Sequence, residues 1–297
     1  MVNNKGKDIL IRGTAMDGKV RAFAVRTTAL VEELRRRHDT YPTTTAALGR
    51  TTTAAAMMGA MLKGEEKLTI QVQGDGPVGQ IIADANAKGE VRGYVKNPHV
   101  QLPSNSLGKL DVAGAVGTTG FIHVIKDLGL KEPYRGSSPI ISGELGEDFT
   151  YYFAVSEQTP SAVGLGVLVD TDSSVIVAGG FIIQLLPGLS DDEIDVIERA
   201  VGQMPPVTAL LDQGMELDEM LRWIVPDVNI LEEMDIHFKC TCSRDRVERT
   251  LISLGKDELA ALKDTEEETE VVCDFCNEAY TFTNSEIDEL ISQVGGK

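Results

Sequence analysis

All four cysteines of the chain fall in two short motifs, Cys240-Thr-Cys242 and Cys273-Asp-Phe-Cys276, separated by thirty intervening residues. Thiolates are soft ligands, and two local pairs of them close a tetrahedral Zn(II)–S4 site. The rest of the chain is cysteine-free, so packing is a poor account of the clustering. Two structural disulfides, or four idle thiols, are the competing readings. An ion held by all four sulfurs would tie two distant segments together, whereas a disulfide inside either motif ties nothing distant. A small ring removes little entropy from the unfolded chain. In an extended backbone the two C-x-C cysteines also stand near the upper end of disulfide Cα spacing, so bridging them bends the strand. A structural zinc site contributes on the order of 10 kcal/mol or more to folding. A segment of about 60 residues has too small a core to do without it. The motifs therefore read as a switch that converts thiol redox state into local order.

Other candidates for chemistry are sparse. His237 lies near Cys240 and is a possible ligand, but four thiolates already complete a tetrahedral shell. His38, His99 and His123 occur singly, and the chain has no H-E-x-x-H, nucleophile elbow or phosphate loop. Lys239, Arg244 and Arg246 flank the first cysteine pair and could offset the formal charge of about −2 on a Zn–S4 centre, or simply be solvated. Gly74-Asp-Gly76-Pro-Val-Gly79 is a literal G-x-G-x-x-G. Ile81 and Ile82 continue it as a strand where a dinucleotide fingerprint requires a helix N-terminus, so it reads as a glycine-rich hairpin.

The elements that must position the cysteines follow from periodicity. Alternation around Asp17-Gly18 predicts a hairpin over residues 8–26. A short helix follows from Thr28, and a second runs from about Thr43 to Leu62, its Met57, Met58 and Met61 serving as core. Strands are expected at 68–73, 80–85, 91–95, 120–125, 162–169 and 175–185, with a helix from about Gly146 to Val155. After Pro187-Gly188, Ser190 and Glu193 form a capping box with the staple pair Leu189 and Ile194. Three short amphipathic helices follow as far as Pro226, too short to stand without a surface to lie on. Beyond the first cysteines, Ser243 caps a helix closed by Gly255 and a further helical turn spans 256–263. Asp264–Glu270 reads as an acidic loop. The second motif turns like a zinc knuckle between Val271-Val272 and Tyr280-Thr-Phe282, and a last helix starts with the Thr283/Glu286 capping box and stops at Gly295.

The fold class expected is α+β: a strand-rich N-terminal body with a few helices (1–186), a helical linker (187–233) and a small C-terminal four-cysteine zinc domain (234–297). With 46 acidic against 28 basic residues, the net charge of −18 argues against nucleic acid and anionic membranes as partners. The first eight residues lack the apolar run of a secretory signal, and no segment is long and apolar enough to span a bilayer. A reducing cytoplasmic compartment is therefore expected, where clustered cysteines point to metal or redox chemistry.

Cys240-Thr-Cys242-Ser with Cys273-Asp-Phe-Cys276-Asn-Glu-Ala-Tyr-Thr-Phe, Tyr151-Tyr152 to Ser156-Glu-Gln-Thr-Pro160, and Ala178-Gly-Gly-Phe-Ile-Ile-Gln-Leu-Leu-Pro187 resemble, in order and along the whole chain, the redox-regulated heat-shock holdases called 33 kDa chaperonins. The resemblance implies an ATP-independent bacterial chaperone, inactive while reduced and holding one Zn(II) per chain on Cys240, Cys242, Cys273 and Cys276. On oxidation it implies pairing of Cys240 with Cys242 and of Cys273 with Cys276, release of zinc, and unfolding of the module and linker. The active form would be a homodimer that binds unfolded client proteins. Net negative charge would help keep such a protein and its clients dispersed. Two readings of other classes compete: a thiol–disulfide oxidoreductase using Cys273 and Cys276, which lacks a thioredoxin-like βαβ context, and a zinc-ribbon nucleic-acid binder.

Overall fold

The computed structural model describes residues 7–263 and 268–294. The chain divides into two compact units that meet in sequence at Lys239 and Cys240. Its elements in order are β1 (Ile9–Ala15), β2 (Val20–Arg26), α1 (Thr28–His38), α2 (Pro42–Gly59), β3 (Lys67–Gly74), β4 (Gln80–Asn86), β5 (Glu90–Val95), α3 (Val112–Val116), β6 (Gly120–Asp127), β7 (Tyr134–Pro139), α4 (Gly146–Val155), β8 (Ser161–Val169) and β9 (Val175–Leu185). There follow α5 (Asp191–Gly202), α6 (Val207–Asp212), α7 (Leu217–Ile224), β10 (Asn229–Asp235), β11 (His237–Phe238), α8 (Arg244–Leu254), α9 (Lys256–Lys263), β12 (Glu268–Val272), β13 (Ala279–Thr283) and α10 (Asn284–Gln293). This is the α+β architecture that the sequence predicts.

In the first unit, a five-stranded sheet (β10-β1-β2-β9-β8) and a six-stranded sheet (β11-β5-β4-β3-β6-β7) both touch α2. Its sequence is rich in threonine and alanine, yet 16 of its 18 residues are buried. Burial is tolerated because the hydroxyls bond at once: Thr51 to the Ala47 carbonyl at 2.9 Å, Thr52 to that of Leu48 at 3.0 Å, and Thr27 with Thr53 at 2.7 Å. Met57 and Met58 lie fully in this core, as their spacing predicts. The connector helices α5–α7 cover the other face of the five-stranded sheet. Ile197, Leu210, Leu211, Met220 and Leu221 form a second cluster there with Ala22, Ala24, Phe181 and Ile183. The Ser190 hydroxyl accepts from the Glu193 amide and the Glu193 carboxylate from the Ser190 amide, so α5 begins as its capping box requires.

The G-x-G-x-x-G segment is a hairpin loop between β3 and β4. The Gly76 and Val78 amides donate to the Val116 and Ala115 carbonyls at 3.0 and 3.1 Å. A Cβ on Gly74 would lie 2.0 Å from the Val116 oxygen, so glycine is needed for α3 to dock. No periodicity announces α3, β7, β10 or β11. The last two form a strap at the end of the unit: β10 pairs antiparallel with β1, and β11 pairs parallel with β5. The strap approaches the sheets where side chains are missing. A Cβ on Gly89, whose φ is +75°, would meet the Asp235 carbonyl at 2.0 Å, and one on Gly13 would meet the Asn229 carbonyl at 2.5 Å. Lys239, the residue before the first cysteine, pairs with Glu90.

The second unit is an antiparallel hairpin, β12–β13, with α8, α9 and α10 around a core of Leu251, Leu259, Phe282, Ile287 and Leu290. The acidic loop expected at 264–270 is corrected at one end: Glu268, Thr269 and Glu270 lie in β12, opposite Thr283, Phe282 and Thr281. Cross-strand pairing outweighs their low strand propensity. Residues 264–267, the helix stop at Gly295 and residues 1–6 lie outside the described residues.

Candidate metal centre

Two local structures present the sulfurs. Cys240-Thr-Cys242 lies in a segment without regular secondary structure that leads into α8, whose first turn is capped by the Ser243 hydroxyl. Cys273 to Cys276 form the turn between β12 and β13. The Cys276 and Asn277 amides donate to the Cys273 carbonyl at 3.3 and 2.8 Å, and the Cys273 amide donates to Glu278 at 2.9 Å. Asn277 takes the left-handed conformation at φ 56°, which asparagine tolerates and which closes the knuckle.

These segments bring all four Sγ atoms within 4.8 Å of one another. Two sulfur contacts run across the motifs: Cys240 to Cys273 at 3.8 Å and Cys242 to Cys276 at 3.3 Å. A tetrahedron of thiolates at the usual Zn–S distance has sulfur edges of about 3.8 Å. The cluster therefore fits a metal ion of that kind. Burial pushes the Cys273 and Cys276 thiols above their ordinary range. Four thiolates this close repel one another and sit in a partly dry site, so the charged form needs a cation to be stable.

The surroundings differ in part from those expected. Arg244 donates to the Thr281 carbonyl at 2.9 Å and to Glu286 at 2.6 Å, with its guanidinium 4.3 Å from the centre of the Phe282 ring. It thus clips the start of α8 to β13 and α10. Arg246 donates to the Thr241 hydroxyl at 2.6 Å. Among the described residues the metal-capable group is the four cysteines; His237 belongs to β11, where its amide donates to the Gly89 carbonyl. One neighbour has no signature in sequence: the Tyr280 hydroxyl donates to Cys242 Sγ at 3.2 Å, a bond that holds the phenol proton and raises its pKa. Only the β12–β13 register, Val271 opposite Tyr280, could have suggested it.

Fold and site together define a class: an α+β body followed by a small unit that carries a four-thiol metal cluster. The sequence profile of the Hsp33 protein family matches residues 8–283. Two 33 kDa chaperonins, from Bacillus cereus and Bacillus anthracis, are each 57% identical over 290 residues, which is 97% of this chain and 100% of theirs. The crystal structure of the 33 kDa chaperonin, or heat shock protein 33 homolog, from Thermotoga maritima superposes with a TM-score of 0.93 at 39% identity, covering 98% of this chain and 100% of that one. The chain belongs to the Hsp33 family of 33 kDa chaperonins, redox-regulated holdases that are not enzymes. The oxidoreductase reading falls with this, and for a visible reason: the second cysteine pair sits in a turn between strands, where no helix N-terminus activates a thiolate. Among the described residues, no helix is long and apolar enough to cross a membrane.

Proposed function

We propose that this chain is an ATP-independent, cytoplasmic holdase held inactive while Cys240, Cys242, Cys273 and Cys276 bind one Zn(II), and switched on by oxidation. Bound zinc would keep the four sulfurs deprotonated and tie their two segments together. Peroxide oxidises a cysteine pair by taking two electrons: one sulfur attacks an oxygen and hydroxide leaves, then the second sulfur displaces hydroxide from the first. With two protons the peroxide ends as two waters. Pairing Cys240 with Cys242 and Cys273 with Cys276 removes all four donors and leaves only short rings, so the tie between the segments is lost. Bridges across the motifs would preserve that tie, and the switch would not open.

The observation that carries the reading is the gathering of four sulfurs from distant segments in a unit whose described residues include only five in its hydrophobic core. Residues 234–297 act as the switch and 187–233 as the linker that its unfolding releases. The body, 1–186, then binds unfolded clients as a homodimer. Its client surface includes the apolar sheet face beneath α5–α7, with Phe181 and Ile183. The test follows zinc release with a chromophoric chelator during peroxide treatment, at normal and raised temperature, with client aggregation measured in the same samples. Suppression should rise with zinc loss and reverse on reduction, and non-reducing peptide maps should show the two local disulfides. Zinc loss without suppression, or bridges across the motifs, would sink the proposal.

A further inference from the structure

Tyr280 lies on β13 two residues before Phe282, so both side chains point to one face of the hairpin. Phe282 is buried in the core of the unit and Tyr280 is half-buried beside it. A phenylalanine would serve that packing equally well. What the tyrosine adds is a hydroxyl, and that hydroxyl stands 3.2 Å from Cys242 Sγ. A donor aimed at a thiolate draws charge from the sulfur and lowers its reactivity toward electrophiles, as outer-shell donors do at metal sites generally.

We infer that Tyr280 is a positioning residue whose hydroxyl restrains Cys242, making this half-buried sulfur slower to attack an oxidant than it would be without that bond. The inference rests on the redox-switch reading for its consequence: the strength of one hydrogen bond sets part of the oxidant threshold. The step it slows is attack of Cys242 Sγ on a peroxide oxygen, in which the S–O bond forms as the O–O bond breaks and hydroxide leaves.

The test uses the full-length, zinc-loaded chain and iodoacetamide, whose reaction forms one S–C bond and expels iodide, with each cysteine followed by mass spectrometry. In Tyr280→Phe, Cys242 should be alkylated about three- to ten-fold faster while Cys273 keeps its rate, the scale set by losing one hydrogen bond to a charged acceptor. Unchanged rates, or equal acceleration at all four cysteines, would overturn the inference. A second variant carries 3-fluorotyrosine at position 280, a stronger donor assayed at mildly acidic pH where it keeps its proton. It should slow Cys242 below the wild-type rate; no slowing overturns the inference even if Tyr280→Phe fails to retain zinc. Alkylation rates are independent of chaperone activity. An oxidised wild-type chain that suppresses no aggregation would sink the switch reading and leave this result standing.

Discussion

In the first unit a single helix, α2, buries 16 of its 18 residues between two sheets, whereas the described part of the second unit encloses only five hydrophobic core residues beside its cysteines. The first has an interior large enough to offset the entropy of ordering its chain. The second does not, and four sulfurs within 4.8 Å stand where more core would be needed. A unit built in this way can be dismantled by chemistry at four atoms while α2 and the sheets around it in the neighbouring unit keep their fold. That asymmetry suits the proposed switch, in which the client-binding part must survive the event that exposes it.

The largest test of the comparison is metal removal. Chelation of the zinc-loaded chain should cost the second unit on the order of 10 kcal/mol, more than so small a core can supply. Amide hydrogen exchange should then become fast throughout α8, α10 and the β12–β13 hairpin, while α2 and β3 keep their protection. Loss of protection in α2 would mean that the first unit is not self-sufficient.

Truncation of one core side chain in each unit is the next sharpest probe. Phe282→Ala and Met57→Ala should each cost about 2–5 kcal/mol by cavity formation. In the zinc-loaded chain the first should let a chelator strip the metal and open the second unit at a lower concentration, and the second should only lower the melting temperature of the first unit. Equal effects of the two substitutions on zinc retention, read by chelator titration, would erase the distinction.

The smallest effect concerns pH. Asp8 is buried against the start of α1, its carboxylate accepting from the Ala29 and Leu30 amides at 3.1 and 2.7 Å. Burial outweighs those bonds and nearby Arg26, and pushes its pKa up to about 6. The folded state thus holds this proton more tightly than the unfolded chain. The resulting stability is complete below about pH 4 and lost as pH rises through about 6, a change of about 3 kcal/mol. The cysteine unit runs the other way, because protonating its sulfurs weakens ion binding as pH falls. Urea unfolding of the first unit should show the Asp8 slope in the wild type and a flatter one in Asp8→Asn.

Much of this molecule was legible from neighbours in sequence. The spacing of the cysteines, the Ser190/Glu193 and Thr283/Glu286 capping boxes, the Asp17-Gly18 hairpin and the alternation of β8 and β9 are all signals written within a few residues, and each gave the element or cluster expected of it. The rest depended on partners far along the chain. Asn229–Asp235 reads as acidic and mostly exposed, and it is a strand because the edge of β1 offers it hydrogen bonds and Gly13 leaves room. Glu268–Glu270 became a strand by the same kind of pairing. The Asp8 contact with α1 spans about twenty residues and the Tyr280 bond to Cys242 spans 38. Sequence alone determined what the cysteines could bind and where helices start, because ligand type, capping and periodicity are local. Only the tertiary structure decided which edges pair, which carboxylate is buried and which hydroxyl meets a sulfur, because these contacts form only once distant segments are closed together by the core.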